Sequence, residues 1–116
     1  MDTRKLYDVT SLNAVAGGDE AFVKSMIGLF LENIPSQSKE LITACSEKNW
    51  ERVYFISHKM KASIVLVNIV DIIQEIKTIE INAKTLQQLE TLPALIQQVD
   101  EVIAATEMQM KTDYNL

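Results

Sequence analysis

Apolar residues recur at three- and four-residue spacing along nearly the whole chain, in stretches of helical length parted by short punctuation. Such a pattern gives each segment one stripe to bury, which only packing against other helices can satisfy. The 116 residues include only three Gly and two Pro, and aromatic residues make up 6%, so the turn-rich texture of small all-β domains is missing. With 47% hydrophobic and 23% charged residues, the chain is expected to form a single domain over residues 1–116.

The punctuation predicts five helices. Thr10 or Ser11 caps a short first helix that runs through Ala16 and stops at Gly17-Gly18, where glycine can take the left-handed conformation. Asp19 caps a second, with Phe22, Val23, Met26, Ile27, Phe30 and Ile34 in its stripe; the pattern resumes at Leu41, Ile42 and Cys45 and ends near Lys48. Pro35 implies either a kink or a break in it. Asn49 caps the third helix, whose Trp50, Val53, Ile56, Met60, Ile64 and Val67 lead to a break at Asn68. The β-branched run around residues 64–70 would pass alone for a buried strand, but the helical period on either side favours two helices meeting at Asn68. Asn68, with Asp71 three residues on, reads as a variant capping box opening a fourth helix that turns Ile72, Ile73, Ile76 and Ile79 inward and runs to about Ala83. Pro93 suits the first turn of a fifth, striped by Leu95, Ile96, Val99, Val102, Ile103 and Met110, with the last few residues frayed. The expected fold is therefore all-α: an antiparallel four-helix bundle with a short additional N-terminal helix.

Counting removes several functions. Eleven Lys and Arg against sixteen Asp and Glu leave a net charge of -5, which argues against binding nucleic acid through a dense basic patch. Cys45 is the only cysteine, so no internal disulfide forms; it reads as a small buried hydrophobe in a reducing compartment. His58 is the only histidine, which excludes clustered-His and Cys/His metal sites, and no Gly-rich phosphate loop is present. The opening residues lack a leader pattern, and apolar runs such as 62–70 fall far short of the roughly 20 residues of a membrane span, so a soluble cytoplasmic protein is expected.

The third helix carries the chemistry. At about 100° per residue, Val53, Ile56, Met60, Ile64 and Val67 fall opposite His58, so His58 faces outward. Around it lie Glu51, Tyr54, Phe55, Lys61, Ala62 and Val65, an outward face with two aromatics, a valine and few charges. Apolar residues ringing a polar nucleophile suggest a protein-docking patch, unless the short first helix covers part of it. An unperturbed imidazole is largely neutral near neutrality, and its lone pair can attack phosphorus unaided. Lys61, one turn on, can place its ammonium against the phosphoryl oxygens. Because phosphoryl transfer depends chiefly on positioning and charge stabilisation, this pair can suffice if a partner brings the metal and acceptor. Taken alone, a His with Lys at the third position is a common chance pairing.

The segment Ser57-His58-Lys59-Met60-Lys61-Ala62-Ser63 resembles the His-x-Leu-Lys-Gly-Ser signature of histidine-containing phosphotransfer domains, the phosphorelay modules of bacteria, fungi and plants. Upstream, Gly17-Gly18-Asp19-Glu20-Ala21-Phe22 followed by Leu29-Phe30-Leu31 is similar to that family's entry to its second helix. Downstream, Ile79-Glu80-Ile81-Asn82-Ala83-Lys84 is similar to its Leu-Glu-x-x-Ala-Arg segment, so the resemblance spans about residues 8 to 105. It implies that His58 is phosphorylated on Nε2, that Lys61 stabilises the phosphoryl charge, and that Glu80 orients the other ring nitrogen, although an acidic residue there is by default a solvated surface charge. Tyr54, Phe55, Ala62 and Val65 would contact the partner.

Two departures from the family pattern stand out. Ala62 replaces a common Gly, adding one methyl and improving helix propensity by up to ~1 kcal/mol, and Asn68 stands at a second such Gly. The implied protein is a monomeric phosphocarrier, not an enzyme and without a cofactor of its own. It would exchange a phosphoryl group with the aspartate of a response-regulator receiver domain, which brings Mg²⁺, and with a hybrid sensor kinase. The rival reading is a non-phosphorylated adaptor or kinase-inhibitor module of the same fold. A di-metal carboxylate bundle would need Glu-x-x-His pairs, and the sequence has none.

Overall fold

A computed structural model describes residues 4–116, so Met1–Thr3, the first part of the stretch read as lacking a leader, lie outside the described residues. Among them the chain forms α1 (Thr10–Ala16), α2 (Glu20–Ser46), α3 (Trp50–Leu66), α4 (Val70–Thr85), a 3₁₀ turn (Leu89–Thr91) and α5 (Leu92–Tyr114), with no strand. The β-branched run thus divides between the end of α3 and the start of α4, because its flanking helical stripes have a core to bury against. Both α2 and α4 pack against α3 and α5, and α1 lies on α2, which makes a helical bundle. Its interior is lined by Ile27, Leu41, Val53, Met60, Ile64, Ile72, Ile76, Ile79 and Val99, all fully buried. Each such side chain contributes about 1.5–3 kcal/mol through burial. Phe22, expected in the α2 stripe, is instead 40% exposed, and Ile73, Leu95 and Val102 are only partly buried at the edges of theirs.

Helix ends set the layout. α1 closes with Gly17 and Gly18 at positive φ while their N–H groups bond the carbonyls of Ala14 and Asn13. The same arrangement closes α2 with Lys48 at φ 55°, where Lys48 N–H and Asn49 N–H reach the Cys45 and Ala44 carbonyls. Asn68, expected to cap α4, instead closes α3: it sits at φ 50° and sends its N–H to the Val65 carbonyl, while Ile69 N–H reaches that of Ile64. An N-cap needs extended backbone, which a left-handed residue cannot supply, so the N-cap position of α4 passes to Ile69, which offers no side-chain bond. α1 differs too. Its N-cap is Val9, and the carboxylate of Asp8 accepts from the N–H and hydroxyl of Thr10. Asp19 and Asn49 do cap α2 and α3, through Ala21, Phe22 and Arg52 N–H groups. α2 passes through Pro35 without a break.

The C-terminal end of α5 is tied down where fraying was expected, because the chain before α1 straps across it. Gln109 donates to the Arg4 carbonyl and accepts from Leu6 N–H, the Tyr7 hydroxyl and Lys5 ammonium both bond Asp113, and Arg4 makes a two-pronged bond to Asp71 on α4. Further along, Asp100 accepts from the buried Ser38 hydroxyl at 2.8 Å and from Lys39 at 3.0 Å, so α5 is also pinned polar-to-polar onto α2. Cys45 is buried, and that burial pushes its thiol pKa up. No helix among the described residues is long and apolar enough to cross a membrane.

Candidate functional site

α3 is turned by its core stripe. With Val53, Ile56, Met60 and Ile64 sealed against the bundle, His58 stands on the opposite side with 58% of its side chain exposed. Ser57, its neighbour, is buried and returns its hydroxyl to the Val53 carbonyl at 2.7 Å, so it is structural. Lys61 lies one turn along the same face, 31% exposed. The α3–α4 turn then sets the register in which α4 lies against α3, and this carries Glu80 to both of them.

Glu80 joins the pair into a cluster. One carboxylate oxygen lies 2.7 Å from His58 Nδ1 and the other accepts from Lys61 Nζ at 2.8 Å. It is only 14% exposed, so it is no solvated surface charge. Burial pushes the Glu80 carboxyl pKa up, but the bonds and charges of Lys61 and His58 outweigh it and leave the group below the ordinary glutamate range. An ionised carboxylate only accepts, hence Nδ1 carries the proton, and in the neutral ring Nε2 holds the lone pair. With the ring neutral, the cluster sets one carboxylate against one ammonium.

Tyr54 stacks on the imidazole with ring centroids 5.8 Å apart at 26°, and is half-buried rather than freely presented. Over its ring sits the ammonium of Lys84, 5.8 Å from the centroid. The sequence reading did not select Lys84 as a site residue, yet it lies four residues after Glu80 and so on the same side of α4, which was the available signal. Phe55 is 53% and Val65 45% exposed and Ala62 is open to solvent, so α1 leaves that patch uncovered. Lys59 lies over the Phe55 ring. Among the described residues no group of three His, Cys, Asp or Glu side chains is placed to hold a metal ion.

The arrangement offers one outward nitrogen nucleophile, held by its other nitrogen, with an ammonium at hand and an apolar rim. No protein-family model matches the chain, and comparisons with curated proteins and with solved structures return no match.

Proposed function

We propose that the protein is a phosphorelay carrier built as an antiparallel four-helix bundle with a short N-terminal helix, working in the cytoplasm as a monomer. His58 accepts a phosphoryl group from the phospho-aspartate of one receiver domain and passes it to the aspartate of another, within a two-component pathway headed by a hybrid sensor kinase. The observation that supports this most is the His58–Glu80–Lys61 cluster, in which an exposed ring is oriented through Nδ1 beside an ammonium. In the transfer the Nε2 lone pair attacks phosphorus as the bond to the aspartate oxygen breaks, and Lys61 meets charge on the phosphoryl oxygens. Mg²⁺ belongs to the receiver, whose pocket supplies the remaining catalysis. The rim of Phe55, Ala62 and Val65, with Tyr54 behind it, gives the receiver an apolar surface to rest on.

The test is incubation with a phosphorylated receiver domain. Wild type is expected to acquire an acid-labile, base-stable label, and His58→Gln to acquire none. Label persisting unchanged in His58→Gln would remove the site, whereas failure of wild type to accept from any receiver of the same genome would leave the adaptor reading in its place.

A further inference from the structure

We infer that Glu80 is a positioning residue that keeps a proton on Nδ1 of phosphorylated His58, so that this carrier holds its phosphoryl group in a readily released form. The inference rests on the phosphotransfer reading and concerns how that site is tuned. Loading puts phosphorus on Nε2 while Nδ1 keeps its hydrogen, so the ring becomes cationic, and the carboxylate 2.7 Å away is its counter-ion. On release the P–N bond breaks, its electron pair returns to Nε2, and an oxygen of the accepting aspartate, or of water, forms the new P–O bond. A ring still protonated on Nδ1 leaves as neutral imidazole. One that has lost that proton must leave as imidazolate, a far poorer leaving group. An amide at position 80 could match the hydrogen-bond geometry but not the charge.

The groups facing the ring act in a definite balance. From α3 these are Lys61 and the stacked Tyr54, and from α4 Glu80 and, beyond Tyr54, Lys84. Both cations oppose a charged ring, and Glu80, the carboxylate in contact with it, favours it; Glu51 lies on the same face of α3 two turns away. Glu80 also holds Lys61 at 2.8 Å, so the ammonium is shared between carboxylate and phosphoryl oxygens rather than committed to the latter. Replacing the carboxylate removes the counter-ion and leaves both ammonium groups opposing the charge on the ring, which lengthens the life of the phosphohistidine.

Direct labelling with phosphoramidate, which needs no receiver, separates this from the function itself. Wild type and Glu80→Gln are labelled on His58, and the loss of label is followed across pH by phosphorus NMR, with thermal melting as the control for folding. Removing an opposite charge at contact distance moves a titration by about one unit or more, so the pH at which the label becomes long-lived should fall by about that much in Glu80→Gln. Halfway between the two midpoints its lifetime should be about threefold longer, and above both it should approach about tenfold. In the unlabelled proteins, nitrogen NMR of the ring should find the Nδ1–H tautomer dominant in wild type and less so in the variant. Superimposable lifetime profiles, a wild-type ring protonated mainly on Nε2, or a His58 that phosphoramidate does not label would each overturn the inference. Absence of transfer from receivers with the lifetime difference intact would instead count against the phosphotransfer function alone.

Discussion

In the proposed transfer Lys61 would answer to two anions once His58 carried a phosphoryl group, and its exposure of 31% leaves it room to swing between them. Its contribution to the fold is small for the same reason: a partly exposed pair is worth about 0–1 kcal/mol. Lys61→Ala is therefore expected to slow phosphoryl transfer by about tenfold or more, while melting within about 5 °C of wild type; rapid-quench transfer assays and a thermal melt check the two halves. A collapse in melting temperature would make Lys61 a structural residue. Both His58 and Lys61 were legible in the sequence, because one helix's periodicity decides which of its residues share a face. Glu80 was legible only as a candidate. Whether it reaches the ring depends on how far α4 slides along α3, and that offset is set by the turn between the helices and not by the period of either. Tyr54 shows the same limit, since its place on the outward face was readable but its stacking on the imidazole was not.

At the scale of the element, a single device ends α1, α2 and α3, and only one of the three was visible beforehand. Gly17-Gly18 announces itself because glycine enters the left-handed region without penalty. Lys48 and Asn68 enter it because the last carbonyls of α2 and α3 need donors, which is a property of the helix and leaves no mark on composition. A non-glycine residue pays roughly 1–2 kcal/mol there, partly offset by the greater freedom glycine has when unfolded. Lys48→Gly should therefore raise stability by about 0.5–1 kcal/mol in urea denaturation with an unchanged slope. Asn68→Val should lower it by about 1–2 kcal/mol, because a β-branched residue tolerates the left-handed region poorly. If instead Asn68 served α4 as an N-cap, Asn68→Gly would cost only a few tenths and Asn68→Asp nothing. The left-handed closure predicts that Gly is the better of those two. That α2 survives Pro35 also belongs at this scale: the helix is anchored on both sides of it by Ile34 and Ser38 in the interior, so tertiary packing outweighs one lost backbone bond.

For the whole molecule, the strap of residues 4–8 joins the end of α5 to the α3–α4 corner, in part through side chains that titrate. The hydrogen bonds from Lys5 and Tyr7 hold the Asp113 carboxyl below its usual range, and the Arg4 guanidinium does the same for Asp71. Both groups have a folded pKa below the unfolded value, so their stabilisation is complete above the ordinary aspartate pKa of ~3.9 and is lost as pH falls through the lower folded values. Tyr7 runs the other way: burial first, then the bond to Asp113 and its charge, push the phenol far above its ordinary pKa of ~10. Its contribution is complete below that ordinary value and disappears as pH rises through the raised one. The strap should thus come free at both ends of the scale while the hydrocarbon core, which does not titrate, holds. Amide protection of Leu6, bonded to Gln109, and of Asp8, bonded to the Val67 carbonyl, reports the strap, and that of Ile76 reports the core. The strap amides are expected to lose protection in acid before Ile76 does. Asp113→Asn should be less stable than wild type at neutral pH and converge with it as the pH falls through the lowered folded value, where the wild-type carboxylate gains its proton. Two acid limbs that ran parallel would assign the loss to other carboxylates and leave α5 held by its apolar stripe alone.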